Sequence, residues 1–293
     1  MGYPKDTQDL VEKEFIAFPD IMADMLNVLL YHGKNIVKKE NLLAGSTEVI
    51  YQGGRRLRTQ YEDFCMYDMA GGEVRIMYMV ANQSKTDGKM LLRKAGYTGG
   101  AYRGQYAGKV RDVFPVIEVV LYWGNPRWKS SRNLHRLFRK RKLLKDEWEF
   151  VDELRLHVYE MRHLPENVRK LFKSDMRIIV DFFAEGKEYR SDRKIVHKAA
   201  LIKMIKVLSG DMDIEGVEGW LEKQGIREED EVMVCELFDQ YERKGREEGR
   251  EEGENRLARL MQALISSGRN DDLEKAVFDQ DYREQLYAEV NLA

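Results

Sequence analysis

A chain of 293 residues, 43% hydrophobic and 34% charged, has the material for one large domain or two ordinary ones, and this balance excludes disordered and fibrous classes. Its 49 Lys and Arg against 51 Asp and Glu give a formal net charge of −2, so the chain has no bulk attraction for polyanions and any such site must be a local patch. Cys65 and Cys235 stand too far apart for metal-ligand spacing and fit a reducing compartment.

The polar opening stretch carries no export signal, and the longest apolar runs are too short to cross a bilayer; the expectation is a cytoplasmic protein. From Glu14 to Tyr31, apolar residues recur at spacings of three and four, which predicts one helix ending at His32-Gly33, where glycine can take a left-handed cap. Asp20, Asp24 and Asn27 share its second face.

Asp63–Tyr67 and Val74–Val80 are rich in β-formers and flank Ala70-Gly71-Gly72, so they read as a hairpin. Phe114–Tyr122 reads as a third strand, stopped by Gly124-Asn125-Pro126. Residues 87–108 are expected to cross over the sheet between them as a helix, although six glycines oppose it.

The second half reads as mostly helical, over 133–141, 165–185, 192–208 and 228–241. Beyond Tyr241 comes a repeat of Gly-Arg-Glu-Glu, then two amphipathic stretches, 257–265 and 273–290. The organisation expected is a core over 10–130, a helical region over 131–241 that completes or flanks it, and a charged tail over 242–293. Glycines four apart in that tail fall on one helical face, suiting either a solvated helix or self-association into a homo-oligomer.

On the second strand Met77, Met79, Ala81 and Gln83 share a face, and Asp63, opening the first strand, stands 18 positions before Ala81. This layout resembles that of metal-dependent nucleases of the PD-(D/E)XK type, which place a carboxylate two residues before a Lys or Gln on a strand; residues i and i+2 project to the same side, so the first can bind Mg²⁺ while the second positions the attacking water. Here the first position is an alanine. Glu118, inside an apolar strand, reads as a displaced ligand or as an exposed or salt-bridged end residue. The basic run Arg132, Arg136, Arg139, Lys140, Arg141 and Lys142 is the local candidate for phosphate contact, with a solvated basic helix as the plainer reading. None of the five histidines forms a metal-ligand doublet.

Several of these stretches together resemble the Rpn group, the recombination-promoting nucleases also called PD-(D/E)XK family transposases or YhgA-like proteins. The likeness rests on 23–30 (Ala-Asp-Met-Leu-Asn-Val-Leu-Leu), Glu62-Asp63-Phe64, Ala81-Asn82-Gln83-Ser84, and the series Met90, Arg93, Tyr97, Tyr102 and Gln105. It continues through Pro115-Val116-Ile117, 121–124 (Leu-Tyr-Trp-Gly), Trp128 and the Gly-Arg-Glu-Glu tail. The resemblance implies an α/β, restriction-endonuclease-like core with a mostly helical C-terminal region, Mg²⁺ as cofactor and DNA as partner. It makes Asp63 a metal ligand, with Asp24 as a further candidate, Gln83 the water-positioning residue, and Asn27, Arg93, Tyr102 and Gln105 supporting groups.

The group's metal-binding Glu falls on Ala81, its Arg before the Asp falls on Glu62, and its usual proline is Leu91. A methyl group cannot coordinate a hard cation. The function expected is that of a homologue of a Mg²⁺-dependent DNA endonuclease, weakly active or inactive. The alternative is a non-catalytic DNA-binding or regulatory protein assembling through its C-terminal helices.

Overall fold

A computed structural model describes residues 4–45, 48–53, 56–61, 64–142, 144–186, 189–212, 214–269, 271–272, 275–276 and 279–290. Two compact units form, Met1–Glu231 and Val232–Ala293.

In the first unit, helices α1 (Pro4–Ile16) and α2 (Pro19–Tyr31) replace the single helix expected over 14–31. Pro19 sits in the first turn of α2, where its missing N–H costs nothing, but continuing α1 through it would lose a hydrogen bond. α2 ends as the sequence suggests, with His32 (φ 54°) and Gly33 (φ 82°) both left-handed.

The first seven strands along the chain are β1 (Leu42–Ala44), β2 (Glu48–Gly53), β3 (Arg56–Tyr61), β4 (Phe64–Ala70), β5 (Glu73–Gln83), β6 (Val116–Tyr122) and β7 (His157–Glu160). Five of them form one mixed sheet in the order β1-β4-β5-β6-β7, and β2 and β3 pair only with each other. β1 pairs antiparallel with β4 and β4 with β5, whereas β6 pairs parallel with β5 and β7 parallel with β6. A parallel step needs a crossover, supplied by α3 (Met90–Ala107).

α3 forms despite its glycines because one face is well anchored. Met90 and Leu91 pack with Ala81, Val120, Tyr122 and Trp128, while Tyr97 and Ala101 pack with Cys65, Met77 and Met79. Burial of that stripe outweighs the propensity deficit of the glycines. The opposite sheet face carries Tyr78, whose hydroxyl lies 2.6 Å from that of Tyr31 in α2. α1, α2, α6 (Met176–Glu185) and α7 (Lys198–Ser209) pack on one another, with Phe15, Ile16, Met22, Met25, Ile178, Ile179 and Leu201 buried.

The stretch after β6 departs from continuous helix. Only α4 (Leu134–Phe138) forms within 133–141, and 165–185 divides into α5 (Glu166–Arg169) and α6. β7 adds a strand to a region that reads as helical. α8 (Val217–Lys223) completes this unit.

In the second unit α9 runs from Val234 to Ser266, so the composition change at Tyr241 lies inside a continuous helix. Its last turns meet α10 (Gln280–Glu289) over a small core of Leu260, Leu264, Ala276, Leu286 and Tyr287.

Candidate functional site at the strand ends

The parallel register aligns Met79 with Glu118, Ala81 with Val120 and Gln83 with Tyr122. These residues therefore share the sheet face covered by α3. The strands end together, and the Trp123 N–H donates to the Gln83 carbonyl at 2.8 Å. Gly124 is required immediately afterwards: a Cβ there would lie 2.6 Å from the Ser84 carbonyl oxygen and closer still to the Tyr122 hydroxyl. In open α/β sheets the carboxyl ends of parallel strands are the usual place for a site.

Gln83, half-buried, stands at that end beside Arg93 from the first turn of α3. The Arg93 guanidinium donates to Gln83 Oε1 at 3.5 Å, to Asp87 Oδ2 at 3.3 Å and to the Tyr97 hydroxyl at 3.2 Å. Burial works against the Arg93 charge, but Tyr97 and Asp87 outweigh it and hold the pKa above its ordinary value. The cluster is thus a charged, hydrogen-bonded rim.

Inside the rim the character changes. Ala81 is wholly buried, enclosed by Met90, Leu91, Val120, Tyr122 and Trp128. Two residues back along the neighbouring strand, Glu118 is also wholly buried, and so is not the exposed end residue that its sequence position suggests. Thr98 Oγ1 donates to Glu118 Oε2 at 3.3 Å, while Oε1 has no hydrogen-bond partner among the described residues. Burial pushes the Glu118 carboxyl up to about 7, against the opposing pull of Lys94, Thr98 and Arg93. Lys94 is itself 6% exposed. Sequence reading did not pick out Lys94; a lysine on a glycine-rich helix gives no local sign that it faces a buried glutamate.

A family model described as "Putative transposase, YhgA-like" matches residues 8–191, which include every strand of the sheet. The chain belongs to this family. Comparison with curated proteins and with solved structures returned no match.

The structure brings some family-suggested residues together and separates others. Gln83, Arg93 and Ala81 lie on the α3 side of the sheet. Gln105, on the same helix, pins the start of β6: its amide donates to the Phe114 carbonyl and accepts from the Phe114 N–H, each at 3.0 Å. The Tyr102 hydroxyl accepts from the Val116 N–H at 3.2 Å. Asp63 lies outside the described residues.

Asp24 and Asn27 sit on α2, which meets the Tyr78 face, so the structure does not join them to Ala81 and Gln83. Asp24 Oδ2 accepts from the Lys173 and Ser174 N–H groups, each at 2.8 Å, and from Ser174 Oγ at 2.7 Å. It caps the approach to α6. Asn27 accepts from the N–H groups of Ile36 and Val37 and donates to the Val37 carbonyl, which fixes the loop after α2.

In the basic run, Arg132 is tied back to β7 through Glu160 at 2.9 Å and the Val158 carbonyl at 3.3 Å. Arg136, Arg139, Lys140, Arg141 and Lys142 are exposed. No helix among the described residues is long and apolar enough to cross a membrane.

A hydrolytic Mg²⁺ does not fit the residues at position 81. The Ala81 methyl offers no donor and its surroundings are apolar, and no group of three His, Cys, Asp or Glu placed to hold a metal occurs among the described residues.

Proposed function

We propose that this chain is a DNA-binding member of its family in which the hydrolytic centre has been given over to packing. One observation carries the reading: the residue at the metal-ligand position of the resembling nucleases is Ala81, wholly buried in an apolar cluster. A functional carboxylate there would need a solvated, polar pocket to hold a hydrated cation, and Met90, Leu91, Tyr122 and Trp128 occupy that space.

The succession of α2, the antiparallel strands β1, β4 and β5, the crossover α3 and the parallel β6 supports a restriction-endonuclease-like core. In an active relative, Asp63 and a glutamate at the Ala81 position would bind Mg²⁺, and Gln83 would orient water. The exposed basic residues between Arg136 and Lys142 are suited to holding a phosphate backbone. Assembly through the C-terminal helices is less favoured, because Leu260, Leu264 and Leu286 already pack within the unit.

The test uses purified protein, supercoiled plasmid and Mg²⁺, with the wild type beside Ala81→Glu. The wild type should retard DNA in a gel and leave the plasmid supercoiled; nicking gained by the Glu variant alone would identify a disabled nuclease. Mg²⁺-dependent nicking by the wild type would overturn the loss of hydrolysis. Absence of any DNA shift would overturn the binding role.

A further inference from the structure

Between β1 and β4 the chain makes an excursion that belongs to no part of the main sheet. β2 and β3 pair antiparallel from Glu48 opposite Tyr61 to Gly53 opposite Arg56 and form a separate two-stranded ribbon. Its place follows from the register. Ala44, the last residue of β1, pairs with Met66, and the Gly45 N–H donates to the Cys65 carbonyl at 2.9 Å. The chain thus leaves the sheet where β4 begins.

That end of β4 is the end where β5 finishes, because Phe64 pairs with Val80. Gln83, the end of β6 and the first turn of α3 lie there too, and β2 contacts α3. Six residues per strand let the ribbon reach about 20 Å from its base. It rises from the same sheet end as the Gln83–Arg93 rim.

Its charge is polarised. Within the paired strands the single acid, Glu48, is at the base, while Arg56 and Arg58 occupy the positions nearest the turn. The register sets Arg56 opposite Gly53 and Arg58 opposite Tyr51. A chain of net charge −2 can hold a polyanion only through such a local concentration of positive charge. The major groove of B-form DNA admits a two-stranded β-ribbon, and arginines two apart on a strand can meet neighbouring phosphates of one DNA strand.

We propose that the β2–β3 ribbon is a duplex-DNA docking arm, with Arg56 and Arg58 at its tip contacting the phosphate backbone. This deepens the DNA-binding reading and rests on it. The ribbon has no part in the five-stranded sheet, so replacing its arginines tests binding without disturbing the core.

Titration of a short fluorescent duplex by the full chain, followed by anisotropy over a range of salt, tests the proposal. The variants are Arg56→Gln/Arg58→Gln and a charge-matched control, Lys170→Gln/Lys223→Gln, at exposed positions after α5 and in α8. The ribbon variant should bind roughly tenfold more weakly, and its slope of log affinity against log salt should be shallower by about 1.8, or 0.9 per phosphate contact. Its circular dichroism and melting temperature should equal those of the wild type. Wild-type binding with a ribbon variant no weaker than the control would overturn the docking arm and leave the DNA-binding reading standing. Failure of the wild type to bind the duplex at low salt would remove both.

Discussion

Replacing Glu118 with glutamine should raise stability at alkaline pH and leave it almost unchanged in mild acid. The carboxyl is wholly buried, has one hydrogen bond from Thr98 and faces Lys94, and burial raises its pKa to about 7 from an ordinary 4.5. The folded chain therefore binds a proton more tightly than the unfolded chain between those values. Stability is greatest below the lower one and falls as pH rises through the upper one. At about 1.4 kcal/mol per pKa unit, full ionisation costs about 3 kcal/mol. A neutral amide at this position would resemble the protonated carboxyl at every pH. Urea unfolding should thus give nearly equal stabilities for wild type and Glu118→Gln near pH 4, and a variant about 3 kcal/mol more stable near pH 8.5. The difference between the two proteins cancels the titration of every other group. A variant less stable than wild type near pH 8.5 would show that attraction to Lys94 outweighs desolvation, and would refute the reasoning.

Three further substitutions probe the surroundings. Ala81→Glu should lower stability by about 2–5 kcal/mol in urea unfolding, since it overpacks an apolar cluster and buries a carboxyl there; a loss under about 1 kcal/mol would mean that the cluster opens easily. Asp24→Ala should cost about 1–2 kcal/mol through the lost cap on Lys173 and Ser174. The loss should be the same with and without millimolar Mg²⁺, whereas a metal ligand would make it Mg²⁺-dependent. Gln105→Ala should cost about 1–3 kcal/mol by leaving both Phe114 backbone groups without their partner. Hydrogen exchange at the Phe114 amide should rise accordingly.

β5 was legible as a strand because both its faces are covered, so residues 76–81 read as one continuous apolar run rich in β-formers. The crossover α3 was legible from the length of chain between two strands, although the parallel pairing that requires it was not read from the sequence. Elements decided by a single residue or by distant partners were harder to read. Pro19 divides a stretch whose apolar spacing runs on undisturbed. β7 has only four residues and owes its existence to the edge of β6. The ribbon left a local trace, Val49-Ile50-Tyr51 followed by Gly53-Gly54, which is a hairpin signal of the ordinary kind. At the site, Gln83 and Arg93 could be grouped by family likeness. The burial of Glu118 against Lys94 depends on packing between a strand and a helix, which no local pattern reports.

Ala81 and Glu118 illustrate how a sheet face can keep its architecture while changing its chemistry. Hydrolysis by a metal requires carboxylates that stay ionised and reach water. Position 81 offers no carboxylate. Position 118 has one, but burial holds its pKa near neutrality and its free oxygen is enclosed. The remaining polar groups, Gln83, Asp87 and Arg93, bond to one another at the strand ends. DNA binding makes none of these demands, since phosphate contact needs exposed cations and a rigid base. On the proposed reading, the exposed Arg136, Arg139, Lys140, Arg141 and Lys142 need no metal ligand at position 81, so absence of cleavage would not entail absence of binding.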